Sequence, residues 1–199
     1  MSLVIKICGL SSAADVAAAV RAGADAIGFV FADSPRRVTS RIAADAARSV
    51  PEAVTKVAVM RHPSNAEWQR VLEHFVPDAL QADAADFAAL DLPASVAPWP
   101  VYREGGIEPE AAMAGPWLYE GPSSGIGKTV DWRRAAKLAC RGRMLLAGGL
   151  SPANVGGAIA AVRPWGVDVS SGVESAPGQK DPSLISLFIA AARAAESSV

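Results

Sequence analysis

Cysteine and histidine are scarce, with two of each in 199 residues. Two cysteines cannot staple a disulfide scaffold. Cys8 and Cys140 sit in segments that give them no reason to pair, so reduced thiols and a cytoplasmic setting are expected. No group of His, Cys and Asp shows ligand spacing, so no metal site is expected. An excess of charge of either sign is missing too: 19 Lys and Arg against 20 Asp and Glu leave a formal net charge of −1. That balance exerts no long-range pull on nucleic acid or on an anionic membrane. It still leaves room for a small basic pocket that takes a phosphate or a carboxylate. No apolar run approaches the roughly 18 residues that a membrane-spanning helix needs. The nearest, residues 184–192, is broken by Ser186 and reads as the buried face of a last helix. The opening residues, Met1-Ser2-Leu3-Val4-Ile5-Lys6, lack the charged and apolar sections of a secretory signal. Linkers, low-complexity stretches and charge runs are missing as well, so one domain over residues 1–199 is expected.

What is present is apolar. Hydrophobic residues make up 51% of the chain, enough to exclude a disordered polypeptide. Short β-rich runs alternate with Ala-rich segments of helical period. Strands are expected at 3–8, 25–31, 56–60, 78–82, 99–103, 117–120, 143–147 and 166–170. Helices are expected from Ala13 to a stop at Gly23, from a Thr39 or Ser40 cap to Val50, and from a Ser64 cap to Phe75. A short helix before Pro93 and a stub over 108–113 follow. Then come a helix over 132–140, one opened by Ser151-Pro152, and a last one from Asp181-Pro182 to Glu196. Pro98 and Pro100 make the fifth run a poor central strand, because proline cannot donate to a ladder, unless Pro100 stands at its first position. Near-continuous apolar strands between helices predict an α/β fold with a parallel sheet buried on both faces. Eight units favour a closed (β/α)8 TIM barrel, small and with shortened helices in units four and five, over an open doubly wound sheet.

In such a barrel, chemistry sits at the C-terminal ends of the strands. Gly148 and Gly149 follow strand seven; Ser170, Ser171 and Gly172 follow strand eight. Glycines let the backbone approach an oxyanion, and exposed N–H groups at a helix start bind it. These residues are phosphate candidates, with tight turns as the plain alternative. Cys8 ends strand one just before a glycine. It is a small core residue on one reading and a catalytic thiol on the other. A catalytic thiolate needs a lowered pKa, from a nearby cation or a helix dipole, and Lys6 stands two residues earlier on the same strand face. Glu120 closes strand six, where a carboxylate must be solvated, paired or functional. With Cys8 across the barrel mouth it completes an acid/base pair. Residues 123–128, rich in glycine and serine, have the composition of a mobile lid.

Several strings together resemble one family, the phosphoribosylanthranilate isomerases of tryptophan biosynthesis. They are Lys6-Ile7-Cys8-Gly9, Gly28-Phe29-Val30-Phe31 followed by Ser34-Pro35-Arg36, Leu146-Ala147-Gly148-Gly149-Leu150-Ser151-Pro152-Ala153-Asn154-Val155, and Gly166-Val167-Asp168-Val169-Ser170-Ser171-Gly172-Val173-Glu174. Pro177-Gly178 and Lys180-Asp181 continue the last string. The resemblance implies a cofactor-free Amadori rearrangement of N-(5′-phosphoribosyl)anthranilate to 1-(2-carboxyphenylamino)-1-deoxyribulose 5-phosphate. It implies Cys8 as general base and a strand-six acid, matched by Glu120. It implies Arg36 against the anthranilate carboxylate, a role suited to a fixed charged fork. Asp168 is placed toward the anilino nitrogen, Lys6 among the substrate-binding residues, and the strand-seven and strand-eight loops at the phosphate. The expected partner is a phosphorylated small molecule, with neither nucleic acid nor membrane, for a monomer or homodimer.

The chain also departs from the family strings. Strand six ends in Leu118-Tyr119-Glu120 where the family has Leu-Leu-Asp, and strand four reads Leu80-Gln81-Ala82-Asp83-Ala84 where the family has Leu-Gln-Leu-His-Gly. The altered acid and the missing histidine keep two alternatives in view. One is a catalytically weak or silent barrel that binds a phosphorylated ligand. The other is a broader aminoaldose-phosphate isomerase that also serves histidine biosynthesis.

Overall fold

In the computed structural model, which describes residues 2–109, 112–122 and 127–197, eight parallel strands close into a barrel in sequence order. They are β1 Val4–Cys8, β2 Ala26–Val30, β3 Thr55–Val59, β4 Ala79–Asp83, β5 Ala97–Arg103, β6 Trp117–Glu120, β7 Met144–Leu146 and β8 Gly166–Val169. The ring closes where β1 pairs with β8, from Val4 opposite Gly166 to Ile7 opposite Val169.

Strand alternation divides the apolar residues into two cores, because successive side chains point to opposite faces. Ile5, Ile7, Ile27, Phe29, Leu80, Trp117, Tyr119, Leu146 and Val167 point outward and pack under the helices in one large cluster. Ala26, Val57, Ala79, Trp99, Val101, Leu118, Leu145 and Ala147 fill the barrel lumen in a second, smaller one. The inward series continues toward the C-terminal mouth with polar residues: Lys6 and Cys8 on β1, Gln81 and Asp83 on β4, Arg103 on β5, Glu120 on β6 and Asp168 on β8. The same period that buries the lumen therefore aims this chemistry into one place.

The outer helices are α1 Ala13–Ala22, α2 Ser40–Ala47, α3 Asn65–Leu72, α4 Trp132–Ala139, α5 Val155–Val162 and α6 Pro182–Glu196. Their starts follow the capping residues. Ser12, Thr39, Ser64, Asp131 and Asp181 each accept a first-turn N–H, which satisfies a donor with no intrahelical partner. Gly23 closes α1 in the left-handed conformation at φ 98°.

The structure corrects three local expectations. Pro98 and Pro100 lie inside β5, opposite Leu80 and Ala82 of β4. In a parallel ladder alternate residues serve opposite neighbours, and the Ala97 N–H donates to Asp78 on the β4 side. The prolines thus face β6, whose pairing with β5 begins only at Val101, so no ladder bond is lost. The helix of unit seven starts at Val155, three residues after Pro152. The Asn154 side chain accepts from the Ser151 N–H at 2.8 Å and donates to the Gly149 carbonyl at 2.8 Å; this staple turns the chain before the helix begins. Unit four carries only a 3₁₀ segment, Ala84–Ala89. The stub expected over 108–113 lies partly outside the described residues, and its described part is not helical. After β8 come a 3₁₀ turn, Ser171–Val173, and a hairpin of β9 Glu174–Ala176 and β10 Gln179–Lys180.

Candidate active site

A cavity opens at the C-terminal mouth, and Cys8, Arg36, Glu120, Asp168, Gly148, Gly149, Ser170 and Ser171 all line it. The strand ends that the sequence singled out thus converge on one space. Two expected residues sit just outside it. Lys6 is fully buried one inward step below Cys8, and its ammonium donates to Asp168 Oδ1 at 2.7 Å. Gly172 packs against β7's loop so closely that a Cβ there would stand 1.9 Å from the Leu150 carbonyl oxygen.

Lys6, Cys8 and Asp168 form the floor. Burial opposes the charge on Lys6 most strongly, but Asp168 and Cys8 together outweigh it, and the net effect raises the ammonium's pKa. Gly28 makes room for this arrangement: a Cβ on it would lie 3.1 Å from both the Cys8 sulfur and the Lys6 nitrogen. Burial pushes the Cys8 thiol up, and the Lys6 charge offsets only part of that rise. The cation beside Cys8 therefore moderates its acidity without turning it into a ready thiolate. Cys8 is buried, Cys140 is exposed, and both are free.

One wall holds a cluster that the sequence reading quoted only as family spacing. Arg36 donates to Glu174 through Nε at 2.7 Å and Nη2 at 2.8 Å. Lys180, on β10, reaches the same carboxylate at 2.7 Å and the Ser170 carbonyl at 2.9 Å. Burial works against the Glu174 charge, yet the bonds from Arg36 and Lys180 prevail and hold its carboxyl below the usual range. Burial pulls Lys180 down against the attraction of Glu174. Arg36 is thus clamped along one edge. Its Nη1 makes no hydrogen bond among the described residues and is left for a ligand.

The opposite wall carries Glu120. Arg103 Nη1 donates to Glu120 Oε1 at 2.5 Å, and Arg103 also grips Asp83. Gln81, one inward step before Asp83 on β4, is 5% exposed and lines the cavity. Its Oε1 has no hydrogen-bond partner among the described residues. Buried polar atoms are nearly always paired, so this acceptor is free for a ligand's donor. Arg103, Gln81 and Asp83 were not among the expected site residues, although Gln81 and Asp83 stand in the strand-four string that departs from the family. The inward series Trp99, Val101, Arg103 and Ala79, Gln81, Asp83 was the signal.

The rim between β7 and β8 is made of backbone. Gly148 and Gly149 adopt left-handed φ values of 91° and 63°, and their N–H groups make no backbone hydrogen bond among the described residues. Most of the expected lid, residues 123–126, lies outside the described residues. Gly127 and Lys128, which follow, pack against Gly149.

A family model described as N-(5'phosphoribosyl)anthranilate (PRA) isomerase matches residues 5–191. The N-(5'-phosphoribosyl)anthranilate isomerase of Paracoccus denitrificans is 41% identical, with 98% of this chain and 99% of that protein covered. The crystal structure of TrpF from Jonesia denitrificans superposes with a TM-score of 0.81 at 35% identity, covering 98% of each chain. A phosphoribosyl anthranilate isomerase crystallised with reduced 1-(o-carboxyphenylamino)-1-deoxyribulose 5-phosphate superposes with a TM-score of 0.78 at 27% identity, covering 97% of this chain and all of that one.

Proposed function

The chain belongs to the N-(5'-phosphoribosyl)anthranilate isomerase family and is an isomerase of tryptophan biosynthesis; from that premise we propose how its own residues divide the work. Glu120 donates a proton to the furanose ring oxygen of N-(5′-phosphoribosyl)anthranilate. The C1′–O bond breaks as the anilino nitrogen's lone pair forms the Schiff base. Cys8, as thiolate, then takes the proton from C2′, and the electrons left behind give the enolamine. Tautomerisation of the enol yields the ketone of 1-(2-carboxyphenylamino)-1-deoxyribulose 5-phosphate. Every step is a proton transfer or a bond shift within the substrate, so side chains acting as acid and base suffice.

The observation that carries this reading is the convergence of Cys8 and Glu120 on one cavity rimmed by the Gly148-Gly149 and Ser170-Ser171 loops. The open backbone donors of those loops suit a phosphate. Arg36 meets the anthranilate carboxylate through Nη1 and the second hydrogen of Nη2, the edge that Glu174 leaves. Asp168 faces the anilino nitrogen, and Lys6 acts on the substrate through Asp168 and Cys8. Two free thiols suit a reducing compartment, the cytoplasm.

The test is a fluorescence assay in which the anthranilate-derived substrate is generated in situ. Decay of its emission on adding the protein is expected. Binding without decay points instead to a silent barrel that holds a phosphorylated ligand.

Gln81 supplies a second check. We assign its amide to a donor on the substrate. Gln81→Met is then expected to raise KM roughly three- to tenfold, the worth of one hydrogen bond. The same change removes an orphaned buried acceptor, so the denaturation midpoint should rise. An unchanged KM takes Gln81 out of the substrate's contacts.

A further inference from the structure

Three strand ends are tied together at the mouth by one guanidinium. Arg103 closes β5. Its Nε donates to Asp83 Oδ1 on β4 at 2.8 Å, its Nη2 lies 2.8 Å from Asp83 Oδ1, and its Nη1 donates to Glu120 Oε1 on β6 at 2.5 Å. Asp83 is held from behind as well. His62, after β3, brings Nε2 within 3.3 Å of Asp83 Oδ2, while its Nδ1 and backbone N–H each reach Asp86 at 3.0 Å. Both ring nitrogens thereby lie beside carboxylates, and the backbone at His62 has a left-handed φ of 47°.

This chain of contacts joins two of the positions where the sequence departs from the family strings. Asp83 stands where the family has histidine, and Glu120 where it has aspartate. A glutamate carboxyl rides on one more rotatable bond than an aspartate carboxyl, so it sweeps a wider arc unless something fixes it. Acid catalysis depends on that placement, and about an ångström of error costs as much as 10²-fold. We propose, on the reading that Glu120 is the acid, that Arg103 is the positioning residue for Glu120 and that Asp83 is the anchor that fixes Arg103.

The charge count adds a second consequence. One guanidinium between two carboxylates leaves a net charge of −1. Asp83 thus draws on the same cation as Glu120 and makes it easier for Glu120 to carry the proton that it donates. The other charged groups nearby do not replace this arrangement. Arg36 is clamped on Glu174, Asp168 on Lys6, and Glu104 turns its carboxylate to the Asp131 N–H at 2.8 Å. Cys8 lies on the floor, Arg61 sits at the rim after β3, and Lys128 follows on the β6 loop, its carbonyl carbon packed on Gly149.

The experiment compares Asp83→Asn, Arg103→Gln and Arg103→Lys in steady state and in single turnover across pH, with thermal midpoints recorded. Asp83→Asn is expected to lower kcat on the order of tenfold with KM within about twofold. The alkaline limb of its single-turnover profile should move down by about one pH unit, because the Asp83 charge no longer competes with Glu120 for Arg103. In Arg103→Gln the same limb should move up by about one unit, because the cation is gone. Arg103→Lys keeps the charge but not the fork, so it should lose rate with the limb near its original place. A purely structural role lowers the rate with no opposed shifts, and that outcome overturns the proposal. So do variants with unchanged kcat and profile beside an inactive Glu120→Gln, a result that leaves the acid assignment standing. An active Glu120→Gln removes the acid assignment itself. If Asp83→Asn fails to fold, the two Arg103 variants decide.

Discussion

Glu120→Gln is expected to cut turnover by roughly 10²- to 10⁴-fold, the span associated with losing a positioned general acid. Glutamine keeps the length and the carbonyl oxygen that Arg103 Nη1 reaches, but its amide has no proton to give the ring oxygen. The loss should fall on kcat, because the residue acts in ring opening and not in holding the phosphate or the carboxylate. Folding should survive: Glu120 is 9% exposed at the rim, and Arg103 keeps Asp83 as its ion-pair partner. Circular dichroism and the thermal midpoint separate a folded, inactive barrel from a misfolded one. Near-normal turnover would take the acid role away from Glu120.

Cys8→Ala is the companion experiment, with an expected loss of similar size, roughly 10²- to 10⁴-fold. No other described side chain on that part of the floor offers a comparable base, because Lys6 and Asp168 are spent on each other at 2.7 Å. The native enzyme's pH profile carries a related signature. Burial raises the Cys8 pKa above its ordinary value and Lys6 recovers only part of the difference. The base is needed as thiolate, so alkylation of Cys8 should be slow at neutral pH and climb above it toward that raised value. Turnover itself follows the product of thiolate Cys8 and protonated Glu120, so the alkylation rate, not kcat/KM, isolates the thiol. Cys8→Ala should abolish this alkylation together with the activity. Alkylation of Cys8 that does not rise between pH 6 and pH 9 would sink the assignment of Cys8 as the titrating base.

Much of this was legible because the carriers were local. Ser12, Thr39, Ser64 and Asp181 announce helix starts by their own chemistry, and apolar runs announce strands buried on both faces. Cys8 and Glu120 were legible because each ends such a run; Asp168 lies inside the eighth run, and only the family resemblance singled it out. What escaped needed register. Whether Arg103 meets Glu120 depends on Val101 pairing with Leu118, and nothing along the chain states that offset. Prolines at 98 and 100 also made β5 look like a weak strand, which drew attention from its far end. The clamp of Glu174 on Arg36 depends on a hairpin that folds back over residues 174–180. Lys6 was placed on the correct face, but its depth, one step below the ligand space, comes from barrel geometry that spacing does not encode.

The two prolines of β5 have a consequence for synthesis. The chain emerges from the ribosome N-terminus first, so β1 to β5 are complete before β6 exists. A growing sheet then presents the outer side of β5 as an open edge, the kind of surface that recruits strands from other chains. On that side Pro98 and Pro100 have no N–H to offer, so a foreign strand finds a gapped template until the Tyr102 N–H. The gap lies upstream of the positions that β6 uses, and it costs the finished ladder nothing. The prolines thus blunt one of the two open edges of a half-made barrel; the other, the β1 edge, waits for β8.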